Sequence, residues 1–205
     1  MAVVEMVDKY GVGQDPDCYP QTEVLINRLA ITDADQLENA ERELSSYASQ
    51  QLIWQPPPYD LQRLKDIHQF VFQDLYDWAG QLRTVDISKG NTRFCTVQRI
   101  EPEAHKLFAK MAKADYFLGL PREQLIERLA DFYNELNVIH PFREGNGRVS
   151  RLLFQDLIVN CGYEIDWSQV DREQWIAANI AGYHCDLVPM IEVFGRCIGS
   201  QIRMD

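Results

Sequence analysis

The stretch HPFREGNGRVSR, residues 140–151, gathers a histidine, a glutamate, a Gly-Asn-Gly turn and several arginines into one short segment. Before it, apolar residues recur at the helical period, and Pro141 ends that helix because proline lacks an amide N–H and disfavours helix in the preceding residue. After it, residues 149–159 are apolar almost all round, which predicts a buried helix. The stretch is therefore predicted to be a loop at the N-terminus of a central helix, with Phe142 anchored in the core.

This loop has the features of a phosphate-binding site. A helix N-terminus presents unpaired N–H groups and partial positive charge. Gly145 and Gly147 allow the backbone to come close to a ligand and to adopt conformations that other residues avoid. Arg148 and Arg151 are one helical turn apart and project from one face, and arginine binds phosphate through paired, charge-assisted hydrogen bonds. We therefore expect an anion site made of backbone and arginines.

Two more side chains of the loop add chemistry to this anion site. Glu144 would repel a phosphate unless it holds Mg²⁺, which prefers a carboxylate together with phosphate oxygens. His140 can take up a proton near neutral pH. A packed histidine, a turn and solvated arginines are ordinary structural explanations for the single residues, but they do not explain why all of them precede an apolar helix. The sequence has no G-x-x-x-x-G-K-[ST] P-loop.

The loop resembles the active-site motif of Fic proteins, H-P-F-x-[DE]-G-N-G-R-x-x-R, at every specified position. LKDIHQFVFQDLYDWAGQLRTVDI, residues 64–87, is similar to the helix and Trp-Ala-Gly turn that lead into the flap of that family. The resemblance extends from about Cys18 to Cys197. It implies an all-α fold, a Fic-type helical bundle with one β-hairpin flap, and a single Fic-like domain at residues 21–205 after an irregular arm at residues 1–20.

The resemblance implies adenylylation, in which AMP moves from ATP to a hydroxyl side chain of a target protein and pyrophosphate is released. His140 would deprotonate the target hydroxyl, and Glu144 would bind the Mg²⁺ that bridges the α- and β-phosphates. Such chemistry depends mainly on positioning and charge stabilisation. The implied ATP ligands are Gly145, Asn146 and Gly147 for the transferred phosphate, Arg148 for the β-phosphate and Arg151 for the γ-phosphate.

Gly147 separates two subtypes of the family. The related Doc kinases carry lysine at this position and transfer the γ-phosphate, whereas glycine leaves the α-phosphate site open and favours AMP transfer. An alternative hypothesis is an enzyme with the same fold that transfers phosphate or another phosphate-linked group. A third hypothesis is that the protein is not an enzyme but a module that binds a nucleotide and transfers nothing.

Residues 82–100 have the pattern of a β-hairpin. Alternating apolar residues precede a turn cluster at residues 88–91, and residues 94–97 read as the returning strand. In Fic proteins this hairpin, here at about residues 83–98, is the flap, which covers the nucleotide and pairs with the target in extended form. The flap residues predicted to dock the target are Lys89, Gly90 and Asn91, with Lys89 also near ATP.

The rest of the sequence is predicted to form helices. Their predicted ranges are 22–30, 33–55 with Thr32 as N-cap, 60–78 with Asp60 as N-cap, 102–118, 121–139 with Pro121 as the first helical residue, a helix capped by Asp171, and 187–202. The helix after Asp171 carries Asn179, which could border the ribose and base of the nucleotide, with a packing role equally open. His68 is predicted to be a packed or surface histidine and not a ligand.

Composition limits the class of protein and the compartment. The 205 residues are 46% hydrophobic, which suits one folded domain, and the net charge of −11 argues against direct binding of nucleic acid. Five scattered cysteines without a C-x-x-C argue against a disulfide framework or a zinc site. With no signal peptide and no apolar run of membrane-spanning length, these features predict a cytoplasmic protein without membrane contact.

A sequence motif that silences many Fic proteins, [ST]-x-x-x-E-[GN], is absent. Only Glu38 and Glu144 precede a suitable residue, and Ala34 and His140 stand four positions before them. The family includes a class in which a small separate antitoxin supplies the inhibitory glutamate. The chain is therefore predicted to be the toxin of such a pair, and a bacterial type II topoisomerase is a candidate target by resemblance only.

Overall fold

A computed structural model describes residues 15–90 and 92–202 and shows a mainly helical protein. Within this part of the chain, no helix is both long and apolar enough to cross a membrane. The helices are α1 Ala34–Gln50, α2 Leu61–Phe72, α3 Val97–Lys113, α4 Arg122–Ile139, α5 Asn146–Asn160, α6 Arg172–Tyr183 and α7 Val188–Cys197. Short 3-10 turns lie at Asp115–Phe117 and Trp167–Gln169. The strands are β1 Ser88–Lys89, β2 Thr92–Arg93, β3 Tyr163–Ile165 and β4 Ile198–Gln201.

Helix α5 is the centre of the fold, as its apolar composition predicts. It packs against α2, α4 and β3. The side chains at its core are fully buried: Val149, Leu153, Phe154, Leu157 and Ile158. Because burying a large aliphatic or aromatic side chain contributes about 1.5–3 kcal/mol, this helix fixes the position of the loop that precedes it.

The predicted helix at residues 22–30 is wrong. This segment forms turns, and Leu25 makes an isolated antiparallel bridge with Cys18. The Asn27 side chain donates to the carbonyls of Leu25 and Ile31 and accepts the Ile31 N–H at 3.0 Å. Asparagine side chains that bond neighbouring backbone in this way compete with helical hydrogen bonds.

Aspartate N-caps predict the helix starts better than the threonine and proline signals do. Asp33, and not the predicted Thr32, caps α1 by accepting the Gln36 N–H at 2.9 Å. The predicted caps Asp60 and Asp171 are confirmed, and Asp171 forms a capping box. Pro121, predicted as the first helical residue, is the N-cap of α4.

Helix α2 ends earlier than predicted, at Phe72, and residues 73–80 continue as turns. The amides of Leu75 and Tyr76 both donate to the Phe72 carbonyl at 2.9 Å. Tyr76 and Trp78 stack with their ring centroids 4.2 Å apart. The apolar period therefore continues beyond the helix because this turn is also packed against the core.

The hairpin lies within its predicted region, but its strands are shorter and lie at other residues than predicted. Lys89 pairs with Thr92, so β1 lies inside the predicted turn cluster at residues 88–91 and β2 directly follows it. The predicted return strand at residues 94–97 is wrong, since α3 begins at Val97, ahead of the predicted start at residue 102. The carboxylate of Asp86 accepts the Val97 N–H at 2.8 Å, which satisfies an amide at the start of that helix.

The last predicted helix also ends early. Residues 187–202 were expected to be helical, but α7 ends at Cys197, and β4 pairs with β3 in a second antiparallel sheet that the single-hairpin prediction lacks. Arg122 donates to the carbonyls of Gly195 at 2.8 Å and Ile198 at 2.5 Å. A cation that satisfies carbonyls at a helix C-terminus stabilises that end.

Candidate active site

The motif forms a tight turn between α4 and α5, as predicted. His140 is the C-cap of α4 in the left-handed region, with φ of 48°, and its N–H donates to the Leu136 carbonyl at 3.1 Å. Gly145 is the N-cap of α5 with φ of 79°. Two such reversals place the histidine and the helix N-terminus at the ends of one short loop.

Buried contacts fix the shape of this turn. The Asn146 side chain accepts the Phe142 N–H at 2.9 Å and donates to the Phe142 carbonyl at 2.8 Å. Phe142 is fully buried, which confirms its predicted role as an anchor. A Cβ at Gly145 would lie 2.3 Å from a ring carbon of Phe72. The glycine is therefore required both by its backbone conformation and by the ring behind it.

His68 is a packed histidine, as predicted, and it also holds the turn. Its ring stacks on Phe142 with a centroid separation of 4.0 Å. Nδ1 accepts the Gly80 N–H at 2.9 Å, and Nε2–H donates to the Glu144 carbonyl at 3.1 Å. Burial lowers the pKa of His68 to about 4, so the ring is neutral at pH 7. This link between α2 and the turn is not visible in the sequence.

The imidazole of His140 is in the neutral form that can accept a proton. Its Nδ1–H donates to the Asn137 carbonyl at 3.1 Å, which leaves the lone pair on Nε2. The ring stacks on Phe94 of the flap at 3.8 Å. Burial lowers the pKa of His140 to about 4, against the raising effect of the Asn137 carbonyl. The imidazole is therefore neutral at pH 7 and can accept a proton at Nε2.

Arg83 ties the turn to the flap and was not identified from the sequence. This buried side chain donates to the carbonyls of His140 at 2.8 Å and Ile139 at 3.3 Å. It also donates to Val85 at 2.7 Å and to Cys95 at the two ends of the flap. The only local sequence signal of this role was that Arg83, a charged residue, lies in a stretch with the alternating pattern of a strand.

The side of the turn that carries Glu144 and Gly147 is open. Glu144 accepts the Gly145 N–H at 2.8 Å and is only partly buried. A Cβ added at Gly147 would meet nothing within 4 Å. In the described residues, no group of three or more His, Cys, Asp or Glu side chains could hold a metal alone. One accessible carboxylate beside the predicted phosphate site would nevertheless fit Mg²⁺, which takes its other ligands from phosphate and water.

The two arginines of α5 contact different neighbours. Arg148 lies over the Phe72 ring, 5.5 Å from its centroid, and pairs with Glu41 of α1. Arg151 lies over the Trp175 ring of α6 at 5.2 Å, and burial lowers its pKa, although it stays a cation at pH 7. The arginines therefore lean toward α1 and α2 on one side and toward α6 on the other.

The remaining predicted site residues belong to segments other than the active-site turn. The Asn179 amide donates to the Trp175 carbonyl at 2.7 Å, and its side chain also contacts Tyr133, so it helps to pack α6 against α4. Lys89 is exposed on β1, and its charge is among the influences that lower the pKa of His140. Gly90 is exposed with φ of 55°, while Asn91 lies outside the described residues. The Tyr183 hydroxyl, which the sequence did not flag, bonds both the N–H and the carbonyl of Arg93.

Comparisons with known proteins show the family of this chain. The model of the Fic/DOC family matches residues 58–158. The chain is 40% identical to a Salmonella typhimurium LT2 protein and 38% identical to an Escherichia coli K12 protein, each over 95% of this chain and 98% of the relative. Both relatives are named "Probable protein adenylyltransferase Fic". The chain belongs to the Fic/DOC family.

Solved structures share the fold. The N-terminal Fic domain of a VirB-translocated Bep effector from Bartonella quintana, with bound ADP, has a TM-score of 0.83 and 25% identity. The match covers 90% of this chain and 95% of that one. The predicted Fic-type helical fold is therefore confirmed. With the identity to its curated relatives, the chain is an enzyme of the protein adenylyltransferase class.

Proposed function

We propose that this enzyme transfers AMP from ATP to a hydroxyl side chain of a target protein and releases pyrophosphate. The observation that carries the proposal is the pairing of a neutral imidazole with an open helix N-terminus. The lone pair of His140 is on Nε2, and Gly147 leaves the space beside the first amides of α5 unfilled. A proton acceptor and a phosphate site thus occupy the two ends of one turn.

In this reaction the target hydroxyl gives its proton to Nε2 of His140. The hydroxyl oxygen forms a bond to the α-phosphorus, and the bond between that phosphorus and the oxygen bridging to the β-phosphate breaks. The electron pair leaves with pyrophosphate. The backbone at residues 145–147 stabilises the transferred phosphate, because helix N-terminal amides favour negative charge.

The arginines and Glu144 hold the rest of the triphosphate. Arg148 binds the β-phosphate and Arg151 the γ-phosphate, as charge-assisted donors. Glu144 would hold Mg²⁺, which would neutralise charge on the triphosphate when bound. In residues 15–90 and 92–202 no carboxylate pairs with Arg151, which supports its availability to a nucleotide.

The flap supplies the target-docking edge in this proposal. Lys89 and Gly90 lie at or beside the hairpin turn, where the main chain can pair with an extended segment, and Asn91, which follows them in the sequence, is included in the proposed docking edge. Lys89 also lies near enough to His140 to affect its pKa, which suits a contact with ATP or target. Asn179 would border the base and ribose in this proposal, and a packing role for it stays equally open.

The biological role follows from the missing inhibitory motif. We propose a cytoplasmic bacterial toxin that is restrained by a small antitoxin, which supplies an inhibitory glutamate to Arg151. A type II topoisomerase is one candidate target. Expression of the chain alone should arrest growth, and the His140→Ala variant should not. Harmless expression of the active chain without a partner would contradict the toxin role but not the transfer reaction.

Transfer itself is tested with ATP labelled at the α- or the γ-phosphate. A bacterial lysate is incubated with Mg²⁺ and wild-type protein, with His140→Ala, or with His105→Ala, which changes an exposed histidine. We expect label on protein only from α-labelled ATP, a loss of about 10³-fold or more in His140→Ala, and no change in the control. Label from the γ-phosphate would indicate a kinase, and no label from either would favour a binding module.

A further inference from the structure

The Arg148 side chain is held from three directions by α1 and α2. One terminal nitrogen lies 3.4 Å from the Glu41 carboxylate, and the other donates to the Ser45 hydroxyl at 3.3 Å. The Phe72 ring lies beneath the guanidinium. An arginine that is merely solvated would not contact a carboxylate, a hydroxyl and a ring from two other helices.

Glu41 is a buried carboxylate on a helix that is otherwise mostly exposed. Its residue surface is only 7% exposed, and the Tyr76 hydroxyl donates to its other oxygen. Burial, and then the nearby carboxylate of Glu144, raise its pKa. Placing a carboxylate here is unfavourable unless it is paired, and a buried ion pair adds little net stability over an apolar pair. A contribution to folding stability alone therefore explains poorly why a glutamate occupies this buried position.

We propose that Glu41 is a positioning residue that orients the Arg148 guanidinium toward the β-phosphate of the bound nucleotide. The inference rests on the proposed role of Arg148. A guanidinium has five N–H donors, and Glu41 and Ser45 each engage one terminal nitrogen, so further donors remain for phosphate. Because arginine has many rotamers, fixing it before binding reduces the entropy that the nucleotide must overcome.

The test compares nucleotides with and without a β-phosphate, in the presence of Mg²⁺ and without any target protein. Glu41→Gln keeps an acceptor for Tyr76 but removes the charge that holds Arg148. We expect calorimetry to show ADP binding weakened about tenfold and AMP binding unchanged, since only ADP reaches Arg148. The matched control is Glu43→Gln, on the same helix with a side chain 79% exposed, which should change neither.

A double-mutant cycle shows whether Glu41 acts through Arg148. In an Arg148→Ala background, Glu41→Gln should have no further effect on ADP binding. Ser45→Ala, which removes the second anchor, should weaken ADP binding about two- to threefold and again spare AMP. This second variant keeps the test valid if Glu41→Gln folds poorly in thermal melts.

Three results would overturn the inference. One is equal weakening of AMP and ADP, which would indicate a structural role. Another is an effect of Glu41→Gln that persists without Arg148. The third is unchanged or tighter ADP binding, and tighter binding would make Glu41 a competitor of the phosphate. Absence of AMP transfer by the wild type would contradict the proposed function but would leave these binding ratios as measured.

Discussion

The active-site turn, which carries His140, and the tip of the flap are held in different ways. Buried side chains fix the turn at residues 140–147 from α2 and from within: His68, Phe72 and Phe142 pack against it, and Asn146 bonds across it. The flap tip consists of two short paired strands, with exposed residues at its turn. A segment that stabilises a fixed charge distribution must be preorganised, whereas a segment that accepts a partner needs free main-chain groups.

The largest effect expected from this comparison is at Gly145. Gly145→Ala adds a Cβ 2.3 Å from the Phe72 ring and strains a residue with φ of 79°. We expect a loss of about 3 kcal/mol or more in the free energy of unfolding, measured by urea denaturation. Gly147→Ala is the matched control, because its Cβ meets nothing and its φ is not positive, and it should cost at most about 1 kcal/mol. Equal losses would show that the turn is not held by Phe72.

His68 provides the next largest effect. His68→Phe keeps a ring against Phe142 but leaves the Gly80 N–H and the Glu144 carbonyl without their partner. We expect a loss of about 2–4 kcal/mol in chemical denaturation. His105→Phe, at an exposed position, should change stability by less than about 0.5 kcal/mol.

The same pair of variants tests the pKa of His68. In the folded protein this pKa is lowered to about 4, so between pH 6.5 and 4 the unfolded chain binds more protons. Its contribution to stability is therefore complete above pH 6.5 and falls as the pH drops toward 4. Stability should fall less steeply from pH 7 to pH 5 in His68→Phe than in the wild type or His105→Phe. Parallel curves would contradict a neutral, buried ring.

How far the sequence predicts the structure also differs between the two regions. The turn was predicted in its residues and its place between two helices, because the motif, the proline and the apolar periods are all local signals. The contacts of Arg83, Phe94 and Glu41 come from distant segments that packing brings together, and a single sequence does not report them. The predicted start of α3 and the predicted helix at residues 22–30 were wrong because the side chains of Asp86 and Asn27 bond the backbone there.

The smallest expected effect is at the flap tip. Tyr183→Phe removes the hydroxyl that bonds both main-chain groups of Arg93. We expect faster hydrogen exchange at the Arg93 amide and a stability change below about 1 kcal/mol. Tyr47→Phe changes a tyrosine that is 68% exposed on α1 and should leave that exchange rate unchanged. Equal exchange in both variants would show that α6 does not restrain the flap.

The most direct test of the account is a crystal structure of the protein with Mg²⁺ and a non-hydrolysable ATP analogue. We expect the α-phosphate at the backbone of residues 145–147, the β-phosphate at Arg148, and Nε2 of His140 facing the α-phosphate from the side open to the flap. A triphosphate bound elsewhere, or an imidazole that turns Nε2 away from the α-phosphate, would contradict the claim that this one turn brings base and nucleotide together.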